Sequence, residues 1–537
     1  MNKRKYSYLL SLVVTVILVN TSGCKKFLTE EPLGASTDVT LFKDPKNAVL
    51  AVNAIYDTAS WDEGPQWGNG PYLGNMYHWM FGDVLSDDAE KGSTVSDLTA
   101  LTEMKEWRTS GNNAIMQTLW SHCFTGVSRA NIVINGVDGG TIDANLKKRF
   151  KGEALFLRAY FYFYLARVFG GVPLFENSVA LDKFGKVPRN SLAETYAFIE
   201  KDLKAAIDLL PEKNQYATAD LGRATKGAAT AYLARVIMYQ LGTDNTAKHT
   251  WKDVYDVTKT VMNSNQYSLI QNFAAIEEDE GENSSESIFE LQFTASPDSY
   301  GPIKTGTATN VFQNNRKTFG YGFNNPTQNL VNEFEPNDPR LPATVIKNGD
   351  IVLGISNVID LSENATGYLN RKAAIVKPVQ LKGSGQNIRM MLYSDVLLMN
   401  AEAAAHLNIN NEAVDILNKI RARARLSTKP KGTVLGNSEI YQPNVLPAGT
   451  LPDVSASLNG QPLLDAIYHE RRVELAMYSI HYWDMIRTGK YMNSLTAENR
   501  ARAMTHSITQ GMVNPYPVLP LPVSESQNWG LAQNPGY

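Results

Sequence analysis

The sequence predicts a helical protein, a scaffold of paired helices that carries long irregular insertions. Three observations predict it. Lys148 to Phe169 is apolar almost all round, above all from Ala159 to Ala166, as a helix in the middle of a protein must be. The pentapeptide Tyr164-Leu165-Ala166-Arg167-Val168 returns as Tyr232-Leu233-Ala234-Arg235-Val236, an offset of 68 residues. That is twice the roughly 34-residue period of tetratricopeptide helix pairs. Residues 270–385 and 427–460 are rich in Gly, Asn, Ser, Thr and Pro and too long to be plain connectors. Loops of that kind on a rigid scaffold usually carry function.

The elements follow in order. Asp44-Pro45 opens a helix running to about Ala59, with Asp as N-cap and Pro at the first helical position. Residues 60–112, rich in Gly and aromatics, read mostly as loop. A second helix spans about 113–135, where Trp120, Phe124, Val127, Asn131 and Ile134 recur along one face. Each copy of the repeated pentapeptide precedes another amphipathic helix, Leu192 to Leu210 and then Trp251 to Met262. A further pair lies at Met391 to Leu407 and Glu412 to Leu426, with small residues AEAAAHL suited to close helix contact. The scaffold is thus expected over about 113–265 and 391–490. The prolines at 517, 520 and 522 point to an extended segment lying over the helices.

Residues 1–23 have the layout of a secretory signal: Lys3, Arg4 and Lys5, an apolar run from Leu9 to Val19, then Thr21, Ser22 and Gly23 before Cys24. Small residues ending at a cysteine resemble a bacterial lipobox, although Thr21 stands where Leu is usual, so Cys24 is expected to be the acylated mature N-terminus. Residues 24–43 then form a tether. Cys24 and Cys123 are the only cysteines, so stability must come from packing rather than disulfides, and Cys123 is expected as a small buried hydrophobe.

With 51 Lys+Arg against 54 Asp+Glu the net charge is -3, and no nucleic-acid partner is expected. His469-Glu470 lacks the second histidine of a zinc-protease helix, and no phosphate-binding Gly-Lys-Ser/Thr loop occurs. No cofactor, metal or catalytic residue is therefore assigned. Asp83, Asp87, Asp88 and Glu90, with Gly82 and Gly92 nearby, offer oxygen ligands for calcium, but EF-hand spacing is absent. A solvated loop is the simpler account of them.

The ordered series of motifs resembles the SusD/RagB family over nearly the whole chain after the signal. The pieces are Phe27-Leu28 with Pro32, Asn53 to Asp57, Trp120 followed by Arg129-Ala130-Asn131, and RAYFYFYLARVFGGVPLF at 158–175. Then come Thr195-Tyr196 to Pro211 and Asn325-Pro326-Thr327 leading to Asp338-Pro339-Arg340. The most specific are ERRVELAMYSIHYWDMIRTGK at 470–490 and Leu519-Pro520-Leu521-Pro522 to the closing QNPGY. Members usually carry Glu-Gly and Arg where this chain has Tyr478-Ser479 and His481. Glu470, Arg471, Arg472, Glu474, Asp484 and Arg487 alternate in charge along what reads as one helix, and are expected to form a structural paired network.

The resemblance implies an all-α fold, tetratricopeptide-like helix pairs packed against a loop-rich irregular half, with residues 44–537 as one SusD-like domain. Its ligand-side insertions would be about 60–112, 270–385 and 427–460. It also implies a non-enzymatic, surface-exposed outer-membrane lipoprotein that binds oligosaccharides and serves a SusC-like TonB-dependent transporter. An oligopeptide ligand for the same lid and, further off, a glycoside-processing enzyme are the alternatives.

Sugar sites combine flat aromatic rings with carboxylates, amides and guanidinium groups. The first insertion supplies Trp61, Trp67, Tyr72, Trp79, Trp107, Arg108, Asn112 and Asn113. Relatives often carry an acidic Ser-Asp-Asp element near the ligand, which points to Asp87 and Asp88, and they place binding aromatics where Trp107 and Arg108 lie. Tyr321, Phe323 and Asn324 in the later insertion are the second candidates.

Overall fold

The computed structural model describes residues 41–61, 76–177, 187–244, 246–295, 306–317, 320–350, 360–373, 383–435, 438–442, 444–508 and 515–537. Cys24, most of the 24–43 tether, Trp67 and Tyr72 lie outside the described residues. The fold is all-α, with strand confined, among the described residues, to short two-stranded antiparallel pairs.

Ten helices build the scaffold: α1 (Pro45–Ser60), α2 (Ala114–Gly136), α3 (Ala144–Phe169), α4 (Leu192–Leu209), α5 (Lys226–Thr243), α6 (Trp251–Asn263), α7 (Tyr393–His406), α8 (Asn410–Leu426), α9 (Gly460–Glu474) and α10 (His481–Arg487). Their starts are set locally. The Asp44 side chain accepts from Lys46 N at 2.9 Å with Pro45 in the first turn, and capping boxes Ser191/Glu194 and Thr250/Asp253 open α4 and α6. From α1 to α8 the helices pack largely in succession, and α6 lies directly on α7, so the scaffold continues across the long insertion between them. α3, buried along nearly all its length, is the central member. Cys123 is fully buried on α2.

The chain's end covers the end of α3, where four backbone carbonyls lack helical partners. Leu519 N donates to Val168 O at 3.0 Å, and Asn534 Nδ2 donates to Phe169 O at 3.0 Å. The proline-rich segment is extended over the helices, as its composition predicts.

Two expectations change. Residues 76–105 are structured rather than mostly loop: a helical turn at Tyr77–Trp79 widens into Met80–Val84, then come β1 (Ala89–Gly92) and a helix at Thr99–Lys105. Burial of Trp79, Met80, Phe81 and Val84 fixes this segment. The charged motif at 470–490 is two helices. α9 stops at Glu474, Met477 and Ser479 take φ of 60°, and α10 starts at His481. Consequently its charges pair mostly with other elements.

Those pairs form a buried network. Arg340, fully buried, binds Asp338, Glu470 (2.5 Å) and Glu474 (3.0 Å). Arg421 joins Glu470 to Glu335, and Arg423 joins Glu474 to Glu286. Arg471 bridges Asp395 and Asp484, and Arg487 bridges Asp484 and Glu402. Removing one partner of a buried pair strands the other charge in a low dielectric, at a cost of about 3–5 kcal/mol. Arg340→Met should lower stability by that amount in urea unfolding. Lys252→Met, which removes the exposed Lys252–Asp256 pair, should change it by less than about 1 kcal/mol. Equal small effects would mean that the buried network contributes no more than a surface pair.

Candidate functional site

The two candidate clusters of the sequence, more than 200 residues apart, meet in one place. β1 pairs with β2 (Phe323–Pro326), matching Ala89 with Pro326 and Gly92 with Phe323. Thr327 ties the strands to the acidic element, its N donating to Asp88 O and its hydroxyl to Asp87 O. Asn324 donates to Asp83 at 3.0 Å and to Gln313 at 2.8 Å. Gly82 sits against the turn before α10, where a Cβ would meet Ser479 O at 1.9 Å. The glycines of this region therefore serve close backbone approach rather than an ion-binding loop.

The acidic pair is spent internally. Asp88 is fully buried and accepts from Arg472 at 2.8 Å, while Asp87 meets His481 at 2.9 Å and Arg472 at 3.2 Å. Burial works against charge on both Asp87 and His481, but their mutual contact and Arg472 hold the Asp87 carboxyl below its usual range. Asp88 and Asp87 raise His481 above its own. Asp87, Asp88 and His481 approach closely enough to suggest a cation site, yet the Arg472 guanidinium already neutralises the carboxylates. Asp88 is thus out of a sugar's reach, and Asp87 keeps only a partly open edge. His481 supplies the second cationic partner of Asp87.

The aromatic candidates separate. Trp107 is 1% exposed, its Nε1 donating to Tyr491 at 3.0 Å and its ring against Tyr491 and His506. It has no face open to a sugar and acts as a core residue, because the turn after Thr99–Lys105 drives it inward against the chain's end. Arg108 is exposed but pairs with Glu106. Phe323 and Asn324 are buried. Tyr321 is 40% exposed, the single exposed aromatic among the described residues. It leans on Phe312 (centroids 5.1 Å), Phe312 stacks on Phe323 (5.8 Å), and Phe323 approaches Trp79 (6.1 Å). A ladder of rings thus runs from the surface inward. Beside its outer rung, Arg316 pairs with Asp97 and donates to Ser93 Oγ. Ser93 and Thr94 hydrogen bonds hold the Asp97 carboxyl at about 2.

The ladder's inner rung, Trp79, lines a cavity of about 90 Å³ between α3, α5 and the insertions. Asp83 stands in its wall, and burial raises its carboxyl to about 7 despite hydrogen bonds from Asn324 and Ser479. Lys372, opposite in charge, is pulled down to about 7 by burial against the attraction of Glu277, Glu474 and Asp83. Nothing local in the sequence marks Lys372, and the motif that contains Arg472 and His481 does not reveal their partners Asp87 and Asp88, which lie nearly 400 positions away. A second hollow, a cleft of about 440 Å³ between α2 and the C-terminal segment, is lined by Trp120, Phe124, Phe175 and Trp529.

These features define a helix-pair scaffold whose insertions build a stitched face with one outward aromatic among the described residues. The family model described as starch-binding associating with outer membrane matches residues 67–238, and the SusD family model matches 285–537. The chain belongs to the SusD/RagB family. It is 25% identical to SusD-like protein P2 of Formosa agariphila over 97% of this chain and 98% of that one. It is 24% identical to a SusD-like protein of Bacteroides ovatus over 90% and 83%. Surface glycan-binding protein A from Bacteroides fluxus has the same fold, with a TM-score of 0.71 and 23% identity over 92% of this chain and 100% of that one. The Bacteroides thetaiotaomicron protein of that name, solved with laminarihexaose, matches with a TM-score of 0.70 and 23% identity over 91% and 99%. Among the described residues no helix is long and apolar enough to cross a membrane.

Asp83 sets a pH dependence. Its folded pKa lies above the unfolded value, so the stability it contributes is complete below about pH 4 and is lost as pH rises through about 7. The loss is on the order of 4 kcal/mol at about 1.4 kcal/mol per unit. Asp83→Asn should flatten the fall in unfolding free energy between pH 4 and 7 relative to the parent chain. Parallel slopes for the two proteins would contradict the assignment.

Proposed function

We propose that the chain is a lipid-anchored, surface-exposed protein that binds oligosaccharides and delivers them to a SusC-like TonB-dependent transporter, without cofactor or bond cleavage. What supports the glycan is the stitched loop face with Tyr321 turned outward, in a chain whose fold matches surface glycan-binding proteins almost end to end. Tyr321 offers an apolar ring to the C–H face of a sugar, while Arg316, Asp97 and Ser93 offer donors and acceptors to its hydroxyls. The ladder beneath holds the ring in place, so little freedom is lost on binding. The anchor is Cys24 and the transporter follows from the family.

If stacking covers roughly 80 Å² of apolar surface, its loss costs about 2 kcal/mol, roughly thirtyfold in affinity. Tyr321→Ala should therefore weaken binding of the oligosaccharide identified in an array screen by that factor and leave the melting temperature unchanged. Unchanged affinity would move the ligand elsewhere. Phe175→Ala then tests the aromatic cleft, and binding of peptides but no glycan in parallel arrays would replace the ligand class.

Membrane attachment has its own test. Palmitate label should enter the wild-type chain but not Cys24→Ala, and gentle detergent extraction of the native host should recover the wild type with a large β-barrel. A diacylglycerol on the Cys24 sulfur brings two acyl chains, each contributing roughly 0.8 kcal/mol per buried methylene, and two chains anchor stably enough to separate the two proteins in fractionation. Equal release of both proteins, or repeated recovery of the wild type alone, would remove this part of the proposal.

A further inference from the structure

The repeated pentapeptide has a consequence beyond helix pairing. Both copies face the same cavity: Tyr164 and Arg167 from α3, Tyr232 and Arg235 from α5. The two arginines are treated differently. Arg235 finds a carboxylate, Asp395. Arg167, only 8% exposed, finds none within 4 Å among the described residues, and its Nε makes just a long 3.4 Å bond to Phe163 O. Its guanidinium is instead held between rings, 4.3 Å from Phe163, 4.4 Å from Tyr164 and 4.3 Å from Trp483. Ring faces stabilise the charge without taking up in-plane N–H donors, and the side-chain group within hydrogen-bond reach of the guanidinium is the neutral Tyr164 hydroxyl rather than a carboxylate.

The same wall carries further unsatisfied donors. The Tyr232 hydroxyl, Trp79 Nε1 and Arg235 Nε are buried without a hydrogen-bond partner, and Tyr232 and Trp79 are each 3% exposed. Across the cavity Lys372 Nζ donates to Ala476 O at 2.7 Å and lies 3.5 Å over the Tyr478 ring, again with no carboxylate within 4 Å among the described residues. Of the four cationic side chains that line the space, Arg235 is matched by Asp395 and Arg389 by Glu282 and Glu290, so Arg167 and Lys372 are the two without a carboxylate within 4 Å among the described residues; the lining carboxylates are Asp83 and Glu277. Asp83 is occupied by Asn324 and Ser479, and Glu277 meets Gln386 through Oε2 at 3.5 Å while its Oε1 is buried without a hydrogen-bond partner. Buried donors of this kind are normally satisfied, so their convergence calls for an acceptor.

We propose that this cavity is a binding site for a small oxyanion, a carboxylate or sulfate group, held by the Arg167 guanidinium and the Tyr232 hydroxyl. Its volume of about 90 Å³ suits such a group, since a water takes about 30 Å³. The cavity is not sealed from solvent. The two sources of that chemistry are a free inorganic anion and the acidic group of a sugar. The site is separate from Tyr321, and its probes do not depend on the neutral glycan proposed there.

The test titrates the detergent-solubilised full chain with sodium sulfate, sodium glucuronate and, at matched ionic strength, sodium chloride, reading tryptophan emission and melting temperature. Trp483 stacks on Arg167, so an anion bound there should change the emission saturably with sulfate or glucuronate and not with chloride. Stronger response to glucuronate than to sulfate assigns the site to an acidic sugar; the reverse assigns it to the free anion. Tyr232→Phe removes an unpaired hydroxyl and should keep or raise the melting temperature of the free protein while weakening the anion about tenfold. Arg167→Met should abolish the response, and if that variant does not fold, Tyr232→Phe decides alone. Absence of a saturable response in the wild type, or an affinity unchanged in Tyr232→Phe, overturns the proposal.

Discussion

Burial of charge is the constraint on which the rest of the structure depends. Arg340, Arg421, Arg423, Arg471 and Arg487 are all nine-tenths or more buried, and each is matched by carboxylates from other elements. An unmatched ion in such surroundings is costly, so the network admits only the arrangement in which every partner arrives. Arg340 belongs to an insertion and Glu470 and Glu474 to α9, so matching the charges also docks the insertion on the scaffold. Two cysteines leave this chain no disulfide framework for that work. Arginine suits it because a planar fork can hold two carboxylates at once.

The loop face inherits its rigidity from the same source. Arg472 leaves α9 on the opposite side from Arg471 and reaches Asp87, Asp88 and Glu333, fixing the acidic element against the helix. With Asp83 bound to Ser479 and Asn324, the β1–β2 pair is also anchored to the turn before α10. A loop held this way presents Tyr321 without first having to order it, which is what a binding surface of modest area requires. The acidic residues thereby brace the loop face from behind.

The central cavity is where the balance stops. Elsewhere guanidinium groups are buried with carboxylates, whereas Arg167 is buried with rings and Lys372 with a ring and a carbonyl. Proteins place such local departures from satisfied packing at functional positions more often than in purely structural cores.

By itself the sequence determined the scaffold. Helix periodicity and the Asp44-Pro45 start are local signals, and α1, α2, α4 and α6 begin and end within a residue or two of where those signals place them. The repeated pentapeptide marked α3 and α5, and the order of motifs carried the family. Tertiary structure alone decided the faces. Whether Trp107 points outward or into Tyr491, whether Asp88 meets a ligand or Arg472, and whether the 470–490 charges pair along one helix or across several elements depend on residues up to nearly 400 positions away. Side-chain burial is a property of what packs against a residue, and the packing partner lies outside any window in which periodicity and local hydrogen bonding act.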